Sequence, residues 1–208
     1  MKGDSTKSIS SFLSLAATLS LLFGIHFESC NGSRLLAQGP VSMQFIRTSC
    51  SKTTYPALCF NSLSSYASAI QTSPIQLAHT ALSITLDSAR STSTTMKTMS
   101  KSGVMSPQVA EAMSDCMDNV RDSVSELKQS MEAMGHLGGK DLGFQLNSIQ
   151  TWASAALTDD NTCMDGFSGK AMNGEVKTAV RNHMVNVAQL TSNALVFINS
   201  LAAAYSSP

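Results

Sequence analysis

Charge is scarce in this sequence, and neither sign is in excess. Charged residues make up 13% of the 208 residues, and 14 basic side chains balance 14 acidic ones. Proteins that bind nucleic acids usually carry a basic patch or a clear excess of positive charge. The composition therefore argues against a nucleic-acid partner.

Strand patterns and catalytic motifs are also missing. No alternating apolar–polar run of useful length occurs, which argues against a β-sheet. The run from Gly166 to Lys170 approaches the GxSxG pattern, but it fails at its last position and follows no strand. His79, His136 and His183 fall on three different predicted elements, where each is more simply a surface or packing histidine. We therefore expect no enzyme activity and no cofactor.

The amino-terminal stretch has the layout of a secretory signal peptide. Met1 to Lys7 carries two lysines, and Ile9 to Ile25 then contains no charged residue. A basic start followed by a short, interrupted apolar run is typical of a cleaved signal rather than of a spanning helix. We assign residues 1–30 to the signal, with cleavage between about residues 26 and 38. The mature form is then expected to be secreted and free of any membrane.

Secretion decides how the cysteines are interpreted. Cys30 leaves with the signal or lies in the tail after it, and Cys50, Cys59, Cys116 and Cys163 remain. An even number in an oxidising compartment indicates two disulfides, with three possible connectivities. A metal site would need CxxC-like spacing or nearby histidines, and neither is present. We expect no metal.

The stretch from Ser106 to Met134 is typical of an amphipathic helix. Ser106 followed by Pro107 is a helix start, because the serine can cap and the proline lacks an N–H that would have no partner. Apolar residues recur every three or four positions, at Met113, Met117, Val120, Val124, Leu127, Met131 and Met134. Acidic residues form a band about 80° wide almost opposite this face, namely Asp115, Asp118, Asp122 and Glu126. Cys116 lies at the border, so this helix combines a core face, a covalent anchor and an acidic surface.

Three further long helices and a short hairpin complete the prediction. Ser73-Pro74 opens one helix that Gly103 ends, a second carries an apolar face from Leu142 to Phe167, and the last runs from about Glu175 to Tyr205. Asp159 to Asn161 is expected to kink or loosen the second of these. The fold class is all-α: an up-down-up-down four-helix bundle over residues 73–206, preceded by a helical hairpin over residues 41–72.

Four sequence blocks carry a family resemblance. They are IRTSCSKTTYPALC (Ile46 to Cys59), AMSDCMDNVRDSVSEL around Cys116, TWASAALTDDNTCMDGF (Thr151 to Phe167) and the terminal SNALVFINSL. Together they resemble the plant invertase and pectin methylesterase inhibitor family over about residues 41 to 205. The resemblance implies one inhibitor domain over residues 41–206, and it selects Cys50–Cys59 and Cys116–Cys163 as the disulfides.

The family contains inhibitors of two unrelated enzymes, and the chain is more similar to one branch. Invertase inhibitors tend to carry Pro-Lys-Phe shortly before the fourth cysteine, whereas Asp141 to Phe144 here reads DLGF. The Thr151 to Phe167 block looks more like the pectin methylesterase branch. That branch implies a protein of the apoplast and cell wall that is monomeric by itself. It forms a stoichiometric, non-covalent complex with pectin methylesterase, lying across the enzyme's pectin-binding cleft.

The same branch suggests which residues meet the enzyme. Acidic residues two, six and nine positions after the third cysteine are implicated, as is the threonine before the fourth. The first two correspond to Asp118 and Asp122, and the threonine to Thr162. The ninth position is Ser125, a departure, but Glu126 is adjacent and is included in the predicted surface.

Other interpretations compete with this one. The acidic band could be only a solvated helix face, and the target could be acid invertase. A secreted bundle that binds a small apolar ligand or has only a structural role belongs to a different class. A pectin methylesterase pro-region would look alike, but it would be followed by a catalytic domain, and the sequence up to Pro208 contains none.

Overall fold

The computed structural model describes residues 32–102, 105–169 and 174–206. The predicted signal peptide, residues 1–30, lies outside this range. The chain divides into two units, Met1–Ala37 and Gln38–Pro208, and the hairpin and the bundle belong to the second.

The described residues are helical and contain no strand. The helices are α1 (Gly32–Cys50), α2 (Pro56–Leu63), α3 (Ala67–Ile70), α4 (Pro74–Ser102), α5 (Pro107–Met134), α6 (Leu142–Gly166) and α7 (Glu175–Ser206), with a 3₁₀ turn at Ser64–Tyr66. Helices α4 to α7 form a ring in which α5 contacts α4 and α6, and α7 contacts α6 and α4. The predicted all-α fold, a four-helix bundle preceded by a helical hairpin, is confirmed.

The two Ser-Pro sequences begin helices as predicted. The Ser106 hydroxyl accepts a hydrogen bond from the Val109 N–H at 3.4 Å, and the Ser73 hydroxyl accepts one from the Gln76 N–H at 3.2 Å. Each serine thus satisfies one of the N–H groups that a helix start leaves without a partner. Cap and proline together determine where α4 and α5 begin.

Asn193 of α7 holds the hairpin by two hydrogen bonds to the Tyr55 backbone. The Asn193 amide accepts from the Tyr55 N–H at 3.1 Å and donates to the Tyr55 carbonyl at 3.0 Å. Within the hairpin, Cys50 and Cys59 are joined by a disulfide, and the Arg47 guanidinium lies 4.2 Å from the centre of the Phe60 ring. The hairpin is therefore held both covalently and against the bundle.

The interior consists of two clusters. The larger core contains mainly leucine, isoleucine and alanine, with Leu82, Leu127, Ile149 and Ile198 completely buried. Each such side chain contributes about 1.5–3 kcal/mol by leaving water. The second cluster, the methionine-rich core, surrounds Cys116 and Cys163 and contains Met96, Met113 and Met184 as buried members.

Helix α7 is long and apolar enough to span a membrane by length and composition. Its most apolar window has a mean hydropathy of 1.3, but 56% of that window is buried inside the protein. This is the pattern of a core helix in a bundle.

The predicted apolar face of α5 packs on the two cores, but it is not the whole of the buried face. Met117, Val124 and Met131 are only half-buried, whereas Ser123 and Ser130 are completely buried. The reason is that α5 packs between α4 and α6, and the two serines lie on the side of α6. The buried face is therefore wider than one stripe and is rotated toward α6.

The kink expected at Asp159 to Asn161 is also wrong. Helix α6 runs without interruption from Leu142 to Gly166. The Asp160 side chain hydrogen-bonds to Ser123 and Thr191 of neighbouring helices and so does not compete for the backbone of its own helix. The glycine break before α6 is present, and Gly139 has a φ of 75°, in the left-handed region that favours glycine.

Candidate functional site

Three acidic residues follow one another along α5 at intervals of four. Asp118 and Asp122 are exposed, while Glu126 is half-buried. The Asp118 carboxylate is 61% exposed and pairs with the Arg121 guanidinium at 2.7 Å. This pair is open to solvent and contributes little to stability, so Asp118 is available to a partner.

The second disulfide brings α6 against this part of α5. Cys116 and Cys163 are both buried, and their Cα atoms are 4.2 Å apart. Thr162 immediately precedes Cys163, is exposed, and donates its hydroxyl proton to the Thr158 carbonyl at 2.8 Å. The Thr162 oxygen can still accept a hydrogen bond. Thr162 and Asp118 thus flank the disulfide, one on each helix.

Glu126 meets Asp159 of α6, which the sequence suggests only as part of a kink and not as a site residue. Its side chain forms a carboxyl–carboxyl contact with Asp159, and Asp122 and Asp160 are close enough to act on it electrostatically. Burial first, and then the neighbouring charge of Asp159, raise the pKa of Glu126 to about 7. Burial likewise raises the pKa of Asp159. Two carboxyl groups in contact hold a shared proton more readily than two charges.

The geometry around Glu126 agrees with a shared proton. Its Oε2 atom is buried and accepts no hydrogen bond from the described residues. A charged oxygen in that position would be costly, because a buried charge needs donors. We define Glu126 and Asp159 as the carboxyl pair. It lies at the α5–α6 junction, beside exposed Asp122.

Asp160 lies beneath this junction and is completely buried. Its two oxygens contact the Ser123 hydroxyl at 2.8 Å and the Thr191 hydroxyl at 2.9 Å. Burial raises the pKa of Asp160 to about 6, although both hydroxyls act in the opposite direction. Thr191 also lies 2.9 Å from the Val187 carbonyl and has only one proton to donate. As a carboxylate, Asp160 accepts from both hydroxyls and shares the Thr191 proton with the Val187 carbonyl. A protonated Asp160 can instead donate to Thr191, which leaves the Thr191 proton to that carbonyl.

Sequence reasoning included Asp118, Asp122, Glu126 and Thr162 but missed the α6 carboxyls. One signal was available for Asp160, which follows Ala156 by four positions and precedes Cys163 by three. It therefore shares the inward face of α6 with them. No comparable signal existed for Asp159, because its importance depends on which α5 residue it meets.

Among the described residues, no group of three or more His, Cys, Asp and Glu side chains is arranged to hold a metal ion. The carboxyl pair with Asp122 is an acidic surface rather than a coordination sphere.

Comparison with known proteins identifies the family of this helical bundle. The family model described as plant invertase/pectin methylesterase inhibitor matches residues 44–197. The chain is 45% identical to the "21 kDa protein" of Daucus carota, over 77% of this chain and 84% of that protein. It is 42% identical to pectinesterase inhibitor 11 of Arabidopsis thaliana, over 79% of this chain and 83% of that protein.

A crystal structure of a mutant form of an Arabidopsis pectin methylesterase inhibitor has the same fold. Its TM-score is 0.61 at 24% identity, covering 76% of this chain and 95% of the other. The chain belongs to the plant invertase/pectin methylesterase inhibitor family, and within it to the pectin methylesterase inhibitor branch. The family model and relatives such as pectinesterase inhibitor 11, which is matched over most of its length, are described as inhibitors, and the chain is not an enzyme.

Proposed function

We propose that the chain is a secreted inhibitor of pectin methylesterase that forms a stoichiometric, non-covalent complex across the enzyme's pectin-binding cleft. The observation that carries this proposal is 42% identity to a pectinesterase inhibitor over 83% of that relative's length. Relatives named pectinesterase inhibitors 10 and 9 of Arabidopsis thaliana are 43% and 41% identical. The sequence block Thr151 to Phe167 and the missing Pro-Lys-Phe triplet favour the same enzyme over invertase.

The contact surface proposed is the exposed side of the α5–α6 junction. Asp118 and Asp122 project from α5 as exposed carboxylates, and Thr162 is exposed on α6 beside the disulfide. Glu126 stands at the edge of this surface with part of its carboxyl group buried. Because the helices are covalently joined at Cys116–Cys163, the surface is rigid before binding. Little conformational entropy is then lost on association.

Residues 1–30 are proposed to be the signal peptide and residues 41–206 the inhibitor domain. The mature protein is then delivered to the apoplast and cell wall, where disulfides persist. It would meet its partner there as a monomer, with no cofactor, membrane or nucleic acid needed.

One assay tests the target directly. The mature chain, with its disulfides intact, is titrated against a plant-type pectin methylesterase and, in parallel, against an acid invertase. We expect demethylesterification of pectin to slow, with an end point near one inhibitor per enzyme, while invertase keeps its activity. Strong inhibition of invertase without any effect on pectin methylesterase would reverse the assignment.

A further inference from the structure

The methionine-rich core is unusual in composition and position. Seven of the 12 methionines belong to it: Met96, Met113 and Met184 are buried, and Met99, Met105, Met117 and Met164 pack on them half-buried. By contrast, the larger core contains only Met134 as a buried methionine, with Met131 packed against it. Thioether side chains therefore concentrate at the one end of the bundle that contains the inter-helix disulfide.

The sulfurs lie close to that disulfide. The Sδ atom of Met96 is 3.7 Å from Sγ of Cys116, and both residues are fully buried. Their surroundings are apolar, with Val120, Val180 and Phe167 among the buried neighbours. A polar atom introduced here would lack donors, which costs stability.

The same core is open to small solutes from one side. A surface pocket of about 200 Å³ is lined by Ser100, Met105, Ala110, Met113, Ser114 and Met117. A water molecule's share of liquid volume is about 30 Å³, so hydrogen peroxide can enter. Three thioethers face one small space, and one of them, Met113, otherwise belongs to the fully buried core.

We propose that this core is an oxidation site, at which peroxide converts Met105 and Met117, which line the pocket, and half-buried Met164 to methionine sulfoxides. Their oxidation then loosens the disulfide end of the bundle. In each reaction the thioether sulfur attacks one peroxide oxygen and the O–O bond breaks. A sulfur–oxygen bond forms, and the second oxygen leaves as water. Sulfur loses the two electrons that peroxide gains. A flexible apolar side chain thereby becomes a polar one, which disrupts packing.

Position connects this oxidation site to the α5–α6 surface. Met117 immediately precedes Asp118, and Met164 follows Thr162 by two residues. Loosening of the core beneath these residues should weaken enzyme binding as well as stability. The consequence for binding rests on the proposed function, whereas oxidation and loosening do not.

The experiment compares two leucine variants with the unaltered mature chain. Met105→Leu/Met117→Leu/Met164→Leu removes three of the four half-buried thioethers of this core and keeps Met99. Met43→Leu/Met131→Leu removes two half-buried ones elsewhere. Exchange of methionine for leucine nearly conserves volume and is well tolerated in cores. Each protein is treated with graded hydrogen peroxide, quenched with catalase, and examined by peptide mass mapping, thermal unfolding and inhibition assay.

We expect oxygen uptake at Met105, Met117 and Met164 before buried Met134. The melting temperature of the unaltered chain and of the Met43/Met131 variant should fall by roughly 5 °C, as two or more polar groups enter the core. The triple variant should keep its melting temperature. Inhibition should be lost by the two proteins that lose stability and kept by the triple variant. Mass mapping and unfolding give an answer even if the chain inhibits no pectin methylesterase.

Two results would overturn the oxidation site. One is uptake of oxygen at these three methionines with an unchanged melting temperature. The other is an equal fall in melting temperature for the triple variant and the unaltered chain. If the triple variant folds poorly, Met117→Leu alone provides the same comparison at the residue nearest Asp118.

Discussion

At Asp160 a single carboxyl group connects three helices of the bundle. It belongs to α6 and reaches Ser123 of α5 and Thr191 of α7. Burial raises its pKa to about 6, so above that pH the folded protein contains a buried charge. Ser123 and Thr191 can still donate to the ionised carboxylate, but its burial makes the charged form costly.

An Asp160→Asn substitution should therefore be stabilising at pH 8. The amide oxygen can accept from Ser123 and the amide nitrogen can donate to Thr191, which reproduces the protonated acid. A folded-state pKa near 6 against about 3.9 unfolded corresponds to a difference on the order of 3 kcal/mol, which is present at pH 8 and nearly gone at pH 4. Chemical denaturation at both values measures it. A variant less stable than the unaltered chain at pH 8 would show that Asp160 is needed as a charge.

Asp118 and Asp122 allow a prediction about binding. Both carboxylates are exposed, and exposed charges contribute less than about 1 kcal/mol to folding. The double change to Asn should leave the melting temperature nearly intact and weaken inhibition of pectin methylesterase tenfold or more, which corresponds to about 1.4 kcal/mol. Thr162→Ala should act in the same direction.

A matched control for this variant is available outside the α5–α6 surface. Asp87 and Asp141 are also exposed carboxylates, on α4 and before α6. Asp87→Asn/Asp141→Asn changes the net charge equally and should not affect inhibition. Equal inhibition by both double variants, with both folded, would mean that the acidic band is only solvated surface.

At the scale of whole helices, the positions where helices start could be predicted from neighbouring residues, whereas the faces that they bury depend on the helices packed against them. The starts of α4 and α5 follow from Ser-Pro pairs whose hydroxyls cap as expected. The rotation of α5 does not follow, because Ser123 becomes inward only when Asp160 of α6 offers it an acceptor. For the same reason the carboxyl pair was not predictable, since it requires Glu126 and Asp159 to meet across two helices.

The Cys116–Cys163 disulfide joins α5 to α6 and is expected to contribute more to folding stability than Cys50–Cys59. Its sequence separation is 47 residues, against 9 for Cys50–Cys59. The chain-entropy model gives about 4 kcal/mol for the longer loop and about 2.7 kcal/mol for the shorter. Cys116→Ser/Cys163→Ser should lower the melting temperature by roughly 10 °C, and Cys50→Ser/Cys59→Ser by less. Peptide mapping that joined Cys50 to Cys116 would contradict the connectivity.

At the scale of the whole molecule, formal net charge is zero, so the totals conceal a local concentration of acid. Asp122, Glu126, Asp159 and Asp160 gather at one junction of two helices. The family blocks in the sequence were sufficient to predict the bundle, because the spacing of apolar residues and of cysteines is visible in the sequence itself. Composition could not predict this acidic cluster, because its residues come together only when α5 and α6 pack against each other.

This junction determines how the stability of the molecule should depend on pH. Folding raises the pKa of Glu126, Asp159 and Asp160. The folded state therefore binds more protons than the unfolded chain between about pH 4 and pH 7, and its free energy of unfolding must fall as pH rises through that window. The stabilisation is complete below the unfolded pKa values and is lost above the folded ones.

Glu126→Gln should flatten this decline, because one member of the carboxyl pair no longer ionises. Asp118→Asn, which removes an exposed carboxylate from the same helix, should leave the slope unchanged. Denaturation series from pH 4.5 to pH 8 distinguish the cases, and a free energy of unfolding that rises with pH would mean that the carboxyls are ionised and paired in the folded protein.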